Sequence, residues 1–424
     1  MRWALCLLPL ATLAASPERA ITVEGVARLH TATTGGAQYF DLSIEPTFSS
    51  SLGAGWSMTA IARLFVDGGD RLEPGRPTQA TRSAFNRRML IGDRAEIDLR
   101  EAYLTGHVGR VFLTIGKQQI VWGEADRIRV LDIVNPHSLR EFILPELAQS
   151  RIPLWSVRAE ADLGRMQAEL VYVPDETYAE PATRGALFEL TSREFLPPNP
   201  TPPVALEPAI TRNQRADYGA RIATHLHGWD ASAVYFRHTE DNPVLNSRRT
   251  ATQTIVTPVY NRAHLLGASA TRAFGDLTVR AEAGYTIDRG FATSNASRPD
   301  AVEHAESLSY VVGLDWYGFR DTLISYQWYQ DSVLSAAPLT RPRVQTYQSG
   351  AVTRSFKNQT VKATLRALTG SAEHDWLIQA SLTSEVRDHV AMFIRADLFA
   401  GDSAGIFGQF HDASRVSAGV RFTH

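Results

Sequence analysis

The sequence predicts an all-β protein: a transmembrane antiparallel β-barrel of about 16 strands, with 18 the next choice, and one inserted loop containing a short helix. Three observations lead there. An export signal is followed by no membrane helix, segments of about ten residues alternate strictly between apolar and polar, and short connections alternate with long ones.

Residues 1–15 carry one positive charge, a short apolar run and then small residues before the polar Ser16-Pro17-Glu18. This is the layout of a signal peptide cleaved near Ala15. The run is too short to span a bilayer, and nothing later reaches the roughly 18 to 20 consecutive apolar residues that a membrane helix needs. Cys6, the single cysteine, sits inside that run and not at the cleavage site, so residues 21–424 are expected to form the barrel without disulfide or thiolate chemistry. With 43 Lys+Arg against 45 Asp+Glu, a net charge of −2 and no basic block, nucleic acid is excluded as a partner. A hydrophobic content of 44% excludes disorder. An exported soluble protein or a closed barrel remains.

The alternation favours the barrel. In 277–288, Leu277, Val279, Ala281, Ala283, Tyr285 and Ile287 share one face, and Thr278, Arg280, Glu282, Gly284, Thr286 and Asp288 share the other. Trp155, Val157, Ala159, Ala161 and Leu163 likewise oppose Ser156, Arg158, Glu160 and Asp162, and Val416, Ala418, Val420 and Phe422 oppose Arg415, Ser417, Gly419 and Arg421. Alternation alone would also suit a soluble sandwich. Aromatic residues near strand ends, namely Trp56, Tyr103, Trp155, Tyr172, Tyr285, Trp316, Trp328 and Trp376, suit girdles at two bilayer interfaces instead. Short turns at 106–109, 163–165, 227–229, 274–276 and 317–319 alternate with long connections at about 67–92, 120–151, 174–212, 240–252, 289–304 and 331–353. Strands marked out this way, from 22–31 to 411–422, number 17, whereas single-chain bacterial barrels take an even number. The faulty boundary is expected within 331–388.

One segment is unlike a surface loop. Residues 116–153 are rich in Ile, Val and Leu beside paired charges. Asn135-Pro136 reads as a helix N-cap followed by proline, Leu139, Phe142 and Ile143 then share a helical face, and Pro145 should end or kink the helix. An apolar face on an external loop must be buried, and the lumen is the nearest place. Loop 120–151 is therefore expected to enter the pore as a constriction or partial plug, with Lys117, Trp122, Glu124, Asp132, Asn135, Arg140 and Glu141 at the narrowing. A helix packed over the other loops is the alternative.

A second set of pore candidates lies on the inward strand faces: Arg94, Glu96, Asp98 and Arg100 on one strand, and Arg158, Arg280, Glu282, Arg366 and Arg395 on others, with Glu160, Lys362, Arg415 and Arg421 beside them. Opposed basic and acidic walls select polar solutes. For any single residue, an ion pair that stiffens the wall is the plainer reading. The Pro-rich stretch 196–208 reads as a stiff spacer in an external loop. Signals for an enzyme are weak: His225 and His227 flank a turn, His374, His389, His411 and His424 are scattered, and no Gly-x-Ser-x-Gly, His-Glu-x-x-His or calcium loop occurs. No catalytic residue, metal or cofactor is assigned.

The run Gly116-Lys117-Gln118, Trp122-Gly123-Glu124, Asp132, Asn135-Pro136, Arg140-Glu141 and Ser150-Arg151-Ile152-Pro153, with the later Asp397-Leu398-Phe399 and Phe407-Gly408-Gln409-Phe410, resembles a proteobacterial outer-membrane family catalogued as a domain of unknown function. That family is barrel-forming, and its genes often neighbour RND-type exporters and a LolB-like lipoprotein. The resemblance implies a porin-like protein of a Gram-negative outer membrane that moves a small apolar or amphipathic molecule. It implies as partners the outer-membrane lipid and lipopolysaccharide, a small-molecule solute, an RND-type exporter and a periplasmic lipoprotein. A lipid-handling or structural partner that does not conduct, and a barrel hydrolase, are the other two readings. One departure is the end of the chain, which continues past Phe422 with Thr423-His424 where barrels usually close on an aromatic residue.

Overall fold

The computed structural model describes residues 19–33, 39–125, 128–191, 204–206, 215–249, 254–293, 302–370 and 374–424. Strands form wherever one face can meet lipid and the other the lumen. They are β1 (Arg19–Ala32), β2 (Tyr39–Gly53), β3 (Trp56–Asp67), β4 (Ala95–Val108), β5 (Val111–Gln118), β6 (Leu154–Asp162), β7 (Met166–Val173), β8 (Asp217–Leu226), β9 (Trp229–Thr239), β10 (Arg262–Phe274), β11 (Leu277–Ala292) and β12 (Val302–Phe319). The ring continues with β13 (Thr322–Val333), β14 (Val344–Phe356), β15 (Val361–Thr369), β16 (Trp376–Arg387), β17 (Val390–Ala400) and β18 (Arg415–Thr423).

Each strand pairs antiparallel with the next, and β18 returns to β1 in a register that sets Arg415 opposite Ala32 and Thr423 opposite Glu24. The result is a closed barrel of 18 strands with no free edge. Met89–Ile91 pairs with β4 outside this ring. Leu99, Ile115, Leu170, Ile222, Leu266, Leu365, Ile394 and Val420 are exposed on the outer face, while Glu96, Asp98, Thr114, Lys117, Ser232, Glu282, Gln379 and Asp397 are buried. Polarity is thus inverted relative to a soluble protein, as lipid requires. The start of β1 and the end of β18 share one rim, where the connections are short turns such as 54–55, 109–110, 227–228 and 275–276. The long connections 68–94, 119–153 and 174–216 all rise from the other rim.

Several expectations are corrected. The strand number is 18, the second of the two numbers expected, because β14 lies in the connection drawn at 331–353, within the stretch where the faulty boundary was expected. Its outward positions between Val344 and Val352 are Thr346, Gln348 and Gly350, so alternation fails there. The outward-facing Tyr326 hydroxyl donates to Gln348 at 2.8 Å, which satisfies this polar spot. The strand drawn at 253–272 divides into Thr254–Val259, which joins Val244–Arg249 in a hairpin apart from the barrel, and β10. A bulge in β4 sets Glu101 opposite Ile61 and Leu99 opposite Ala62. Beyond it the parity flips, so Tyr103 falls on the inward face with Glu101 and leaves the girdle.

No helix starts at Asn135. Ser138–Leu139 pairs in parallel with Glu180–Pro181 of the next long loop, and a single helical turn, α1 (Leu147–Ser150), starts only after Pro145. Partners from other loops override the local helix signal. Arg94 stands exposed in the turn before β4, off the inner wall. Of the Pro-rich stretch only Val204–Leu206 is described, and it pairs in parallel with Thr254–Val256, a ladder that its composition argued against. The signal peptide expected over 1–15 lies outside the described residues. Past Phe422 the ladder simply continues: Val23 and His424 exchange two backbone hydrogen bonds of 2.9 Å.

Candidate functional site

Loop 119–153 leaves β5 at the rim of the long connections and makes contacts with inward-facing residues of two parts of the barrel wall. Its first part lies along the inner wall. Ile120, Trp122, Val130, Leu131 and Val134 bury themselves against Val171, Val173, Val234, Phe236, Leu265 and Val311. The Trp122 ring meets Phe236 edge-on at 5.4 Å, and its Nε1–H donates to Glu169 at 2.8 Å. Two inward glycines make the room. A Cβ on Gly267 would stand 2.3 Å from Leu131, and one on Gly284 would stand 3.2 Å from Val130. The same wall supplies polar anchors. Glu282 accepts the backbone N–H of Glu124, of Ala125 at 2.8 Å and of Leu131 at 3.3 Å. Arg280 pairs with Asp315 at 2.7 Å and donates to the Glu124 carbonyl at 2.9 Å, while Thr271 donates to the Glu124 carboxylate.

The two ends of the loop are clasped together. Asn135, the expected N-cap, uses its side chain across the loop: Oδ1 accepts the Ile120 N–H at 2.7 Å and Nδ2 donates to the Ile152 carbonyl at 3.0 Å. Asp132 holds Arg151 at 2.7 Å. His137 contacts Ser150 Oγ at 2.9 Å, and burial, with Arg129, Arg151 and Arg100 nearby, pushes its pKa down to about 2. It is therefore a neutral ring at physiological pH.

Mid-lumen, Arg140 pairs with Glu73 at 2.6 Å and Glu96 at 3.0 Å. Arg88 holds the same two carboxylates and reaches Glu180 at 2.6 Å, and Arg82 joins Glu180 at 3.2 Å. Lys117 sits 3.5 Å from Asp98, and Arg100 donates to the carbonyls of Arg151 and Ala148 at 3.0 Å each. Burial alone would lower the Arg140 pKa and raise that of Glu180. The opposite charges around them win: Glu96, Glu73 and Glu180 raise Arg140, and Arg82, Arg88 and Arg140 hold Glu180 below the usual carboxylate range. Such a cluster adds little net stability, but removing one member strands a buried charge at a cost of about 3–5 kcal/mol.

The loop then reaches the far wall. Glu141 pairs with Arg415 of β18 at 2.9 Å and with Arg28 of β1 at 3.4 Å, and Arg395 of β17 donates to the Leu144 carbonyl at 2.9 Å. Phe142 packs among Phe410, Phe407 and Phe399, with ring centres 4.7, 6.0 and 6.3 Å away. The segment bearing Phe407 is itself tied down, since Asp375 accepts the N–H of Phe407 at 2.9 Å and of Gly408 at 2.7 Å. Below Arg140 and Glu141 lies a cavity of about 240 Å³, whose walls include Arg28, Arg63, Arg395, Glu24, Glu45 and Phe393.

The sequence-predicted residues fall into groups. Trp122, Glu124, Arg280 and Glu282 meet at the first wall; Lys117, Glu96, Asp98, Arg100 and Arg140 meet in the central cluster; Asp132 and Asn135 clasp the loop; Glu141 and Arg395 meet at the second wall. Arg158 lies apart, paired with Glu160 at 3.0 Å, and Arg366 faces the lumen on β15, away from the loop. Sequence reasoning missed Glu73, Arg82, Arg88 and Glu180, which come from the other two long loops and read in isolation as solvated charges. It also missed Arg28 and Arg63, whose inward parity was available from their strands.

Known structures share this barrel. The Acinetobacter baumannii proteins OccAB3 and OccAB2 superpose with TM-scores of 0.55 each, at 11% and 9% identity, over 97% and 96% of this chain and 100% and 98% of theirs. The outer membrane protein OpdK of Pseudomonas aeruginosa gives a TM-score of 0.52 at 11% identity, over 96% of this chain and 98% of its own. At such identities the likeness is one of fold, the fold of Gram-negative outer-membrane porins. No curated protein matches the sequence. The family model that matches covers residues 67–422, from the end of β3 to the last strand, and by it the chain belongs to DUF1302, a family described as protein of unknown function.

Proposed function

We propose that this barrel is a porin-like channel whose conductance is set by loop 119–153, the residues that carry the family resemblance serving mainly to hold that loop across the lumen. The observation that carries the reading is the double attachment of the loop, to Glu282 on one wall and to Arg415 and Arg28 on the other. A loop that merely capped the barrel would need neither. The cavity walls combine Phe65, Leu72 and Phe393 with Arg28, Arg63 and Arg395, a lining that suits a small amphipathic solute with an apolar body and a charged end. Exchange with an RND-type exporter and a periplasmic lipoprotein is the cellular setting that the family resemblance favours.

The test is conductance in a planar bilayer. The intact barrel should give small discrete steps, and deletion of 124–148 should raise the step size several-fold. Equal steps from the two proteins would remove the loop from the conducting path. The density of ion pairs and packed side chains in the lumen favours the second reading, a lipid-handling or structural protein that does not conduct. A silent intact barrel that copurifies with lipid would establish that reading instead.

A further inference from the structure

The wall beside the cavity carries three side chains that a channel does not require. His30 on β1 stands directly opposite Ser417 on β18, and their side chains meet, Ser417 Oγ to His30 Nδ1, at 2.8 Å. On its other side, His30 Nε2 lies 2.5 Å from Asp41 Oδ2 on β2. The remaining Asp41 oxygen accepts Arg28 Nε at 2.7 Å, so the carboxylate is oriented from both ends. The imidazole plane is fixed as well. It stacks on Tyr39 with ring centres 4.4 Å apart and planes 13° apart, and the Tyr39 hydroxyl is held by Arg415 at 2.7 Å.

Three guanidinium groups flank Ser417, each also held by a carboxylate: Arg395 and Arg415 by Asp397, Arg415 and Arg28 by Glu141, and Arg28 by Asp41. Arg395 is the direct cross-strand neighbour of Ser417 on β17, Arg415 lies two residues before Ser417 on the same face, and Arg28 lies two residues before His30. Ser417, His30 and all three arginines belong to the wall of the cavity of about 240 Å³, Ser417 and His30 being almost fully buried in it. A hydroxyl, a base that can take its proton, a carboxylate that orients the base and guanidinium groups on the same inward face are the parts of acyl transfer.

We propose that Ser417, His30 and Asp41 hydrolyse a small carboxylic ester that enters this cavity. Ser417 Oγ attacks the ester carbonyl carbon as its proton passes to His30 Nδ1, and the carbonyl electron pair moves onto oxygen beside the guanidinium groups. Asp41 stabilises the resulting imidazolium through Nε2. The tetrahedral adduct then collapses: the carbon–oxygen bond to the alcohol breaks, and the leaving alkoxide takes the proton from Nδ1. Water repeats the attack on the acyl-serine, releasing the acid and restoring the serine. The two ring nitrogens are used in the reverse of the serine-protease order. That redirects the approach of substrate and leaves the proton count unchanged.

The test uses the full-length folded barrel in detergent, phenylmethylsulfonyl fluoride as a small serine-directed probe and p-nitrophenyl butyrate as substrate. The expected result is a sulfonyl adduct mapped to Ser417 by mass spectrometry, absent from Ser417→Ala. Butyrate hydrolysis should fall on the order of 100-fold in Ser417→Ala and in His30→Gln, in line with the loss of a nucleophile or general base. Intact barrel that gives no adduct at Ser417, or a hydrolysis rate unchanged in both variants, overturns the proposal. The adduct on the unmutated protein decides the matter even where a variant fails to fold. Because conductance does not enter, this result stands or falls independently of the channel reading.

Discussion

At the scale of single residues, the loop is held by groups whose loss has a defined direction. Asn135 accepts one backbone hydrogen and donates to a carbonyl 17 positions away along the chain, so Asn135→Ala leaves both backbone groups buried and unsatisfied. The expected cost is about 2–4 kcal/mol to loop docking, read as faster proteolytic nicking within 119–153 while the barrel keeps its heat-modifiable mobility. His137 makes docking sensitive to acid. Its pKa lies near 2 in place against 6.5 in the free loop, so the released loop binds a proton that the docked loop refuses. Stability is full above about pH 6.5 and falls as pH drops below it, roughly tenfold in the docked ratio per pH unit. Glu141 and Glu180, whose pKa values are held below 4.5, add their loss only beneath that value. Between pH 4.5 and 6.5 His137 lowers docking stability as pH falls, while Asp241, whose pKa burial raises above the usual carboxylate range, acts in the opposite sense, so loop protection measured by hydrogen exchange should lose less on acidification in His137→Asn than in the unmutated protein.

At the scale of elements, what the sequence revealed and what it concealed have physical causes. Strands with an unbroken apolar face, such as β11 and β18, were legible because lipid demands that face. β14 was not, since Thr346, Gln348 and Gly350 interrupt it and a tyrosine from the neighbouring strand meets the polarity. The importance of 116–153 was legible from its apolar content. Its conformation was not, because the groups that fix it, Glu73, Glu180, Gly267 and Glu282, are scattered along the chain, and the helix signal at Asn135-Pro136 loses to them. The groove at Gly267 gives an element-level prediction. Gly267→Val should displace Leu131 and loosen the loop, increasing single-channel conductance. Gly267→Val combined with Leu131→Ala should restore part of the original value, because the smaller side chain vacates the space that valine fills. Additive effects of the two changes would show that groove and side chain do not oppose one another.

For the whole molecule, the inverted distribution of polarity separates two kinds of stability. The ring of 18 strands is closed by backbone pairing, whereas the long loops are held to it by ion pairs as well as by apolar packing. Agents that weaken ion pairs should act on the contents before the container. Arg140→Met removes a cation that serves Glu73 and Glu96, and the expected outcome is a more mobile loop and wider conductance steps with no change in the unfolding temperature of the barrel. A parallel fall in that temperature would mean that the central cluster braces the wall itself.

The pair of bonds made by Glu141 bears on the order in which the molecule is built. Its two arginine partners belong to the first and last strands, which are neighbours only once the ring is sealed. Until then the loop has one wall to rest against and half of its second docking site. The two-arginine site for Glu141 is thus complete only after the seam closes, so full seating of the loop requires a sealed ring.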